Sequence, residues 1–313
     1  MIPIVALAAA ISLAPPPARR VAVTFDDLPG ATASIVGDGV PALEAMTRRL
    51  LAAVREAHAP AIGFVNEGKL APDGRREETR VALLTLWLDA GLELGNHTYS
   101  HSDLHRTPLA DFENDVRRGE EVTRALLKDR GKSLRYFRHP FLHTGQDLPT
   151  KLGLEAFLKA RGCRVAPVTH DNSEWIFARA YALTAQRGDS ATGSRIAEAY
   201  VPYMDAKFDY FERQSQALFG REIPQVLLLH ANSLNADKFG ALAAMMKKRG
   251  YALVTLDRAL EDPAYVSPDT YTGPAGITWL HRWALTRGGK DLVLPDEPRT
   301  PDWVLREAGV DSE

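Results

Sequence analysis

Val21-Ala22-Val23-Thr24-Phe25-Asp26-Asp27 reads as a short buried strand that ends in two adjacent carboxylates, with the turn-forming Leu28-Pro29-Gly30 behind it. Desolvating an unpaired carboxylate is costly, so two of them at the end of a core strand call for a cationic partner. Further along, Asn96-His97-Thr98-Tyr99-Ser100-His101 follows another apolar run, Leu92-Glu93-Leu94-Gly95, and offers imidazoles that share a metal ion with those acids. Taken alone, the acidic pair reads as a strand-to-loop corner, one Asp capping a turn and the other solvated.

Outward from this stretch, apolar strand-like runs alternate with helical periods. Strands are expected at 21–25, 61–65, 92–95, 134–137, 163–168, 226–229 and 252–256, and helices at 40–58, 77–90, 109–130, 151–161 and 236–249. Gly91, Gly131, Gly162 and Gly250 stand just before strands, where a helix C-terminus places glycine. The alternation implies a parallel sheet with crossover helices. Polar residues decide between a barrel and an open sheet: strand ends carry Asp26-Asp27, Asn96-His97, Arg138-His139-Pro140, His170-Asp171 and His230. An open sheet gathers its ligand at one switch point, whereas a barrel collects chemistry at many strand ends. The expected fold is therefore α/β, an irregular TIM-like (β/α)7 barrel over 19–259. A helical insertion at 176–224, with helical patterning over 175–187 and 194–219, precedes strand six. A Pro- and Gly-rich extension over 260–313 wraps the barrel, with a short helix at 277–285.

The 313 residues are 45% hydrophobic and 25% charged, enough for a sizeable core. A net charge of -2 offers no basic face, so no nucleic-acid partner is expected. One cysteine, Cys163, excludes an intrachain disulfide and a cysteine-based zinc site, leaving His, Asp and Glu as ligands. Residues 1–18 hold an apolar run, Ile2 to Leu13, that is too short for a stable membrane span. It fits a secretory signal followed by small residues, although positive side chains are missing at its front. Export to the periplasm or beyond is the expectation, with a buried N-terminal segment as the alternative.

His97 and His101, four apart, present two imidazoles on one side, and one carboxylate of the acidic pair completes a facial set with open positions. The other carboxylate can stay free as a general base. Arg138, ahead of Pro140, can keep that base ionised, or be an ordinary rim arginine. His230 leaves the run Val226-Leu227-Leu228-Leu229 and suits a general acid, or a satisfied core histidine. Asp171 is positioned to govern its proton, and Trp175 offers an apolar wall.

In order, Thr24-Phe25-Asp26-Asp27, His97-Thr98-Tyr99-Ser100-His101, Arg138-His139-Pro140-Phe141, Asp171-Asn172-Ser173-Glu174-Trp175 and Leu228-Leu229-His230 resemble the motifs of the polysaccharide deacetylases of carbohydrate esterase family 4, the nodulation-type deacetylase domain. The resemblance runs from Arg20 to Asp257. It implies a distorted barrel short of eight strands. It also implies Asp26 as base, Asp27 with His97 and His101 as metal ligands, and Arg138 as the tether of Asp26. Phe141 would lend its backbone N–H to an oxyanion, Asp171 would tune His230 as the acid, and Trp175 with Leu228 would enclose the acetyl methyl. Glu174 stands where the family usually has Asp, a departure expected to touch the substrate groove rather than turnover. The implied activity is removal of N-acetyl groups from N-acetylhexosamine glycans, chitin-like or peptidoglycan, with a divalent cofactor: zinc first, then cobalt, nickel or manganese. The alternatives are the same scaffold cleaving a non-carbohydrate amide, or a non-catalytic glycan- or metal-binding protein.

Overall fold

The computed structural model describes residues 19–313, so the expected signal segment at 1–18 lies outside the described residues. Seven parallel strands form one sheet: β1 (Arg19–Leu28), β2 (Ile62–Val65), β3 (Glu93–Asn96), β4 (Tyr136–Phe137), β5 (Arg164–Val165), β6 (Gln225–His230) and β7 (Tyr251–Leu253). Their order is β5-β4-β3-β2-β1-β6, and the run beyond β5 meets β6 at a single bridge. His170 forms a parallel bridge with Leu227, the Thr169 and His170 amides donating to Val226 O and the Leu228 amide to His170 O. The fold is the expected (β/α)7 barrel, curled rather than fully closed. Only Arg164–Val165 of the expected 163–168 strand pairs as a strand, because the chain leaves β4 to reach β6. Strand β7 is not a stave of the ring. Val21 pairs with both Gln225 and Leu253, and Thr24 with both Leu228 and Ile62, so β7 and β2 share one edge of β1.

Alternation along β1 separates two apolar layers. Ala22 packs inside the barrel with Ile62, Phe64, Tyr136, Ala166 and Val226. Val21, Val23 and Phe25 face outward with Leu94, Leu227 and Leu229 into the larger core beneath the helices. Thr24 and Asp26 therefore follow Ala22 on the inner face. The helices are α1 (Gly39–Glu56), α2 (Glu78–Asp89), α3 (Leu109–Arg118), α4 (Glu121–Lys128), α5 (Leu148–Ala160), α6 (Glu174–Gln186), α7 (Ser190–Phe219), α8 (Ser233–Lys248), α9 (Leu256–Leu260), α10 (Trp279–Arg287) and α11 (Asp302–Ala308). Leu256, Ala259 and Leu260 of α9 join the inner layer near the strand starts. The insertion is α6 and α7, which bury Phe177, Tyr200, Met204 and Phe208 in the main core. No described helix is long and apolar enough to cross a membrane.

The single helix expected over 109–130 is broken into α3 and α4, and the break serves the loop beyond β3. A Cβ at Gly119 would lie 2.3 Å from the Thr98 carbonyl carbon, so a side chain there would collide with that loop. The start of α4 is capped from outside: Glu67, 3% exposed, accepts from Val122 N at 2.9 Å and Thr123 N at 2.7 Å. Glu67→Ala strands these buried amide donors and is expected to cost about 1–3 kcal/mol of stability, read from urea unfolding. A loss under about 0.5 kcal/mol would show the cap to be dispensable.

Candidate active site

Register brings the acid and base candidates together. Asp26 of β1 is the direct parallel partner of His230 of β6, and both stand at the C-terminal ends of their strands. Asp26 is 3% exposed. Arg138, with no exposed surface, reaches it from the end of β4. Its Nη1 lies 3.3 Å from each Asp26 oxygen, Nη2 donates to Thr24 Oγ1 at 3.0 Å, and Nε donates to Ala166 O at 2.9 Å. The guanidinium lies over the Phe64 ring at 4.6 Å, so its stem and plane rest on the inner apolar layer. Burial pushes the Asp26 carboxyl up to about 6, against the pull of Arg138 and His230.

Asp27, His97 and His101 each offer one ligand atom, all within 4.8 Å of one another. Their chemistry fits a divalent cation. The His97 Nδ1 lies 2.8 Å from Arg138 O and donates to it, which leaves Nε2 with its lone pair. Burial, reinforced by their mutual proximity in the case of His97, holds both rings below the usual histidine range, in the neutral form that ligates. Burial opposes ionisation of Asp27, but Lys69 and His101 override it and hold that carboxyl well below its usual range. Its Oδ1 is buried and receives no hydrogen bond of good geometry, although Lys69 Nζ lies 3.0 Å away.

The loop carrying the imidazoles is fixed by its own polar groups. Asn96 Oδ1 accepts from Thr98 N at 2.6 Å and its Nδ2 donates to Val116 O at 2.9 Å. The Asp115 carboxylate accepts from Ser100 N, Ser100 Oγ and Ser102 Oγ. Asn66 donates to His97 O, and Gly68 N donates to Tyr99 O at 2.8 Å. Such anchoring holds an unfavourable backbone. Among the described residues, Asp27, Thr98, His101, Phe141 and Leu142 are five of the six non-glycine residues with positive φ, and all five line this end of the barrel.

Two expectations about His230 change. Its Nδ1 is held not by Asp171 but by Glu174, whose Oε2 lies 2.8 Å away. Asp171 accepts from the amide of Asn172 at 2.8 Å instead. The cause is the turn at Asn172. Its side chain donates to Leu228 O and accepts from Glu174 N, so the first residue of α6 is carried over the end of β6. Glu174, fully buried, also accepts from Asn232 Nδ2 and Asn235 Nδ2. The longer acid at this position thus orients His230 rather than shaping the groove. Burial alone would depress His230; Glu174 overrides it and lifts the imidazole to about 9. Sequence offered one signal for this, the Asn232-Ser233-Leu234-Asn235 run beyond His230, whose amides need a buried acceptor. Burial also lifts Asp171, to about 6.

Phe141 is 53% exposed with its ring 4.5 Å from that of His101, and Trp175 is 41% exposed on the first turn of α6. Leu228 lies two residues before His230, on the same strand face. His170, also at a strand end, stays out of the site: it is buried beside Phe208 and Phe211. Asp103, His105 and His143 form a second group of donors. The His105 and His143 rings are stacked, with centroids 3.8 Å apart and planes 4° apart. An ion lies in the plane of each imidazole that binds it, and stacked parallel planes share no such point. In this arrangement Asp103 Oδ1 accepts from His143 Nδ1 at 2.6 Å and from His105 N at 2.8 Å.

Two measurements test this geometry. Glu174→Gln removes the carboxylate that favours imidazolium, so NMR titration of His230 is expected to show its midpoint falling by about 2 units; an unmoved midpoint would deny Glu174 its part. Lys69→Met removes a cation that competes for Asp27 Oδ1. Competition with a chromogenic chelator is expected to show zinc held about tenfold more tightly, and weaker binding would show Lys69 to be a support for the ligand.

Residues 14–156 match the family model described as polysaccharide deacetylase. No curated protein matches the chain. Among solved structures it is similar to a family 4 carbohydrate esterase from Streptomyces lividans in complex with acetate, at 18% identity over 77% of this chain and 95% of that one, with a TM-score of 0.45. It is also similar to a peptidoglycan deacetylase from Bacillus subtilis, at 17% over 77% and 90%, with a TM-score of 0.48. A family 4 pseudoenzyme from Bacillus anthracis matches at 12% over 78% and 69%, with a TM-score of 0.46. These are distant likenesses, and neither substrate nor activity passes from them to this chain.

Proposed function

From the match of residues 14–156 to the polysaccharide deacetylase family model, we propose that this protein is a metal-dependent hydrolase that removes N-acetyl groups from N-acetylhexosamine-containing glycans, chitin-like or peptidoglycan. The observation that carries the reading is a buried carboxyl and a half-buried imidazole with opposed tuning. Asp26 at about 6 and His230 at about 9 flank three converging metal donors. Near neutral pH that leaves the first largely ionised to accept a proton and the second charged to give one. Two groups so tuned favour a proton-transferring enzyme over a protein that only binds a glycan. The apolar run at the start of the chain supports an exported enzyme, periplasmic or secreted.

Asp27, His97 and His101 would hold the ion, and two imidazoles with one carboxylate favour zinc. When bound, it supplies the positive charge that polarises an amide carbonyl and makes water acidic. Asp26 takes the proton of the attacking water on its carboxylate. Arg138 keeps that carboxylate in place, with Thr24 and Ala166 fixing the guanidinium behind it. The backbone N–H of Phe141 is the donor proposed for the oxyanion of the tetrahedral intermediate. His230, its Nδ1 held by Glu174, presents Nε2 to the departing nitrogen and protonates it. The C–N bond breaks to give acetate and a free amino sugar. Trp175 and Leu228 form the wall proposed for the acetyl methyl.

Asp26→Asn keeps the shape and removes the base. Acetate release from a defined chito-oligomer is expected to fall by about 10²–10⁴-fold, while zinc content after dialysis stays at the wild-type level. Full activity in that variant would remove Asp26 from the reaction. A wild type that is inactive on chito-oligomers and peptidoglycan fragments but active on small cyclic amides would redirect the chemistry to another amide.

A further inference from the structure

We propose that the segment beyond the barrel is part of the active site: Arg282 and Gly276 are positioning residues that hold the Phe141–Leu142 turn against the metal loop. The inference rests on the deacetylase reading for its kinetic test, but on geometry for its substance. Both residues lie outside the 14–156 match.

Phe141 and Leu142 are consecutive non-glycine residues with φ of 56° and 55°. Each such residue costs on the order of 1–3 kcal/mol, so the pair persists only where surrounding contacts impose it. On one side stands the metal loop, where Asp103 accepts from His143 and the His101 ring meets Phe141. On the other side the Leu142 side chain packs with Val168, Tyr210 and Leu228 as well as Trp279, and the side-chain hydrogen bonds to the turn come from the extension. Arg282 of α10, with no exposed surface, donates through Nη2 to Leu142 O and through Nη1 to Thr144 Oγ1 at 2.6 Å, while its Nε donates to Ile277 O at 3.0 Å. Asp269, in the same extension, lies 3.7 Å from the guanidinium and balances its charge. Gly276 presses on the turn itself: a Cβ there would sit 1.7 Å from Phe141 O and 3.2 Å from His143 Cδ2. A side chain there would force the turn to shift.

The extension is anchored where the barrel is open. Trp279 N donates to Val168 O at 2.7 Å, and Thr278 Oγ1 donates to the carbonyls of Val168 and Thr169. These are residues of the run between β5 and β6, which lacks a regular strand. The same few residues therefore seal the gap in the ring and set the backbone that is proposed to offer its N–H to the oxyanion. A donor displaced by a fraction of an ångström loses most of its worth in the transition state while leaving ground-state binding nearly untouched.

Arg282→Met, Arg282→Lys and Gly276→Ala are compared with wild type for kcat, KM, zinc stoichiometry and hydrogen exchange. Arg282→Met and Gly276→Ala are expected to lose about 10²-fold in kcat, with KM within threefold and one zinc retained per chain. Arg282→Lys is expected to recover part of the loss, because a single ammonium can still reach Leu142 O. Amide exchange over 139–144 is expected to rise in the Met and Ala variants and to stay unchanged in the β1 and β6 strands. Wild-type kcat in folded, zinc-loaded Arg282→Met and Gly276→Ala would overturn the proposal, as would unchanged exchange over 139–144. If wild type itself releases no acetate, the deacetylase reading fails, and the exchange measurement still decides the positioning claim. If Arg282→Met does not fold, Gly276→Ala and Arg282→Lys decide it.

Discussion

A guanidinium sealed inside a barrel is the constraint on which this molecule turns. Arg138 has no exposed surface, so its charge must be met from within. Asp26 meets it, with Thr24 and the Ala166 carbonyl completing the set. That requirement fixes which face of β1 points inward, and with it the register that sets Asp26 beside His230. It also explains the inner layer: the Phe64 ring lies beneath the guanidinium, and the apolar residues below exclude the water that would weaken the pair. The Asp26 carboxyl is held between burial, which favours its neutral form, and Arg138, which favours its charged one. A carboxyl that titrates near neutrality is the outcome of that balance.

Much of this was legible in the chain itself, for a physical reason. A strand of a parallel barrel is buried on both sides and appears as an unbroken apolar run, so Val21 to Phe25 and Val226 to Leu229 announce themselves and their polar ends. The order of Asp26-Asp27, His97, His101, Arg138 and His230 then gives the site its inventory. Pairing was harder to read. The Cys163 to Val168 run has strand composition, yet only two of its residues find a partner, since pairing depends on where the chain must go next. The carboxylate that holds His230 is hidden from the sequence for a similar reason. Asp171 and Glu174 lie three apart in a turn, and only the Asn172 side chain settles which of them reaches the imidazole.

The left-handed residues form a second level of organisation. They sit at Asp27, in the loop beyond β3 and in the turn beyond β4, each beside a carboxylate, a buried amide or a glycine contact that imposes the conformation. Sequence patterns carry no trace of them, because none is a glycine. They become intelligible only when neighbours distant in the chain, Asp115 for one loop and Arg282 for the other, are brought alongside.

Glu174 receives amides from Asn232 and Asn235 while gripping His230, and Asn232 is also the cap of α8, accepting from Asn235 N. The His230 imidazole, its orienting carboxylate and the first turn of a core helix are therefore one mechanical unit. A shorter acid at 174 would fall a methylene short of all three partners at once. Replacement of this module by that of a relative with Asp in the same place would have to carry residues 232 and 235 along with 174. In a protein divided by exchange of segments, these positions would travel together even though α7 separates them in the chain.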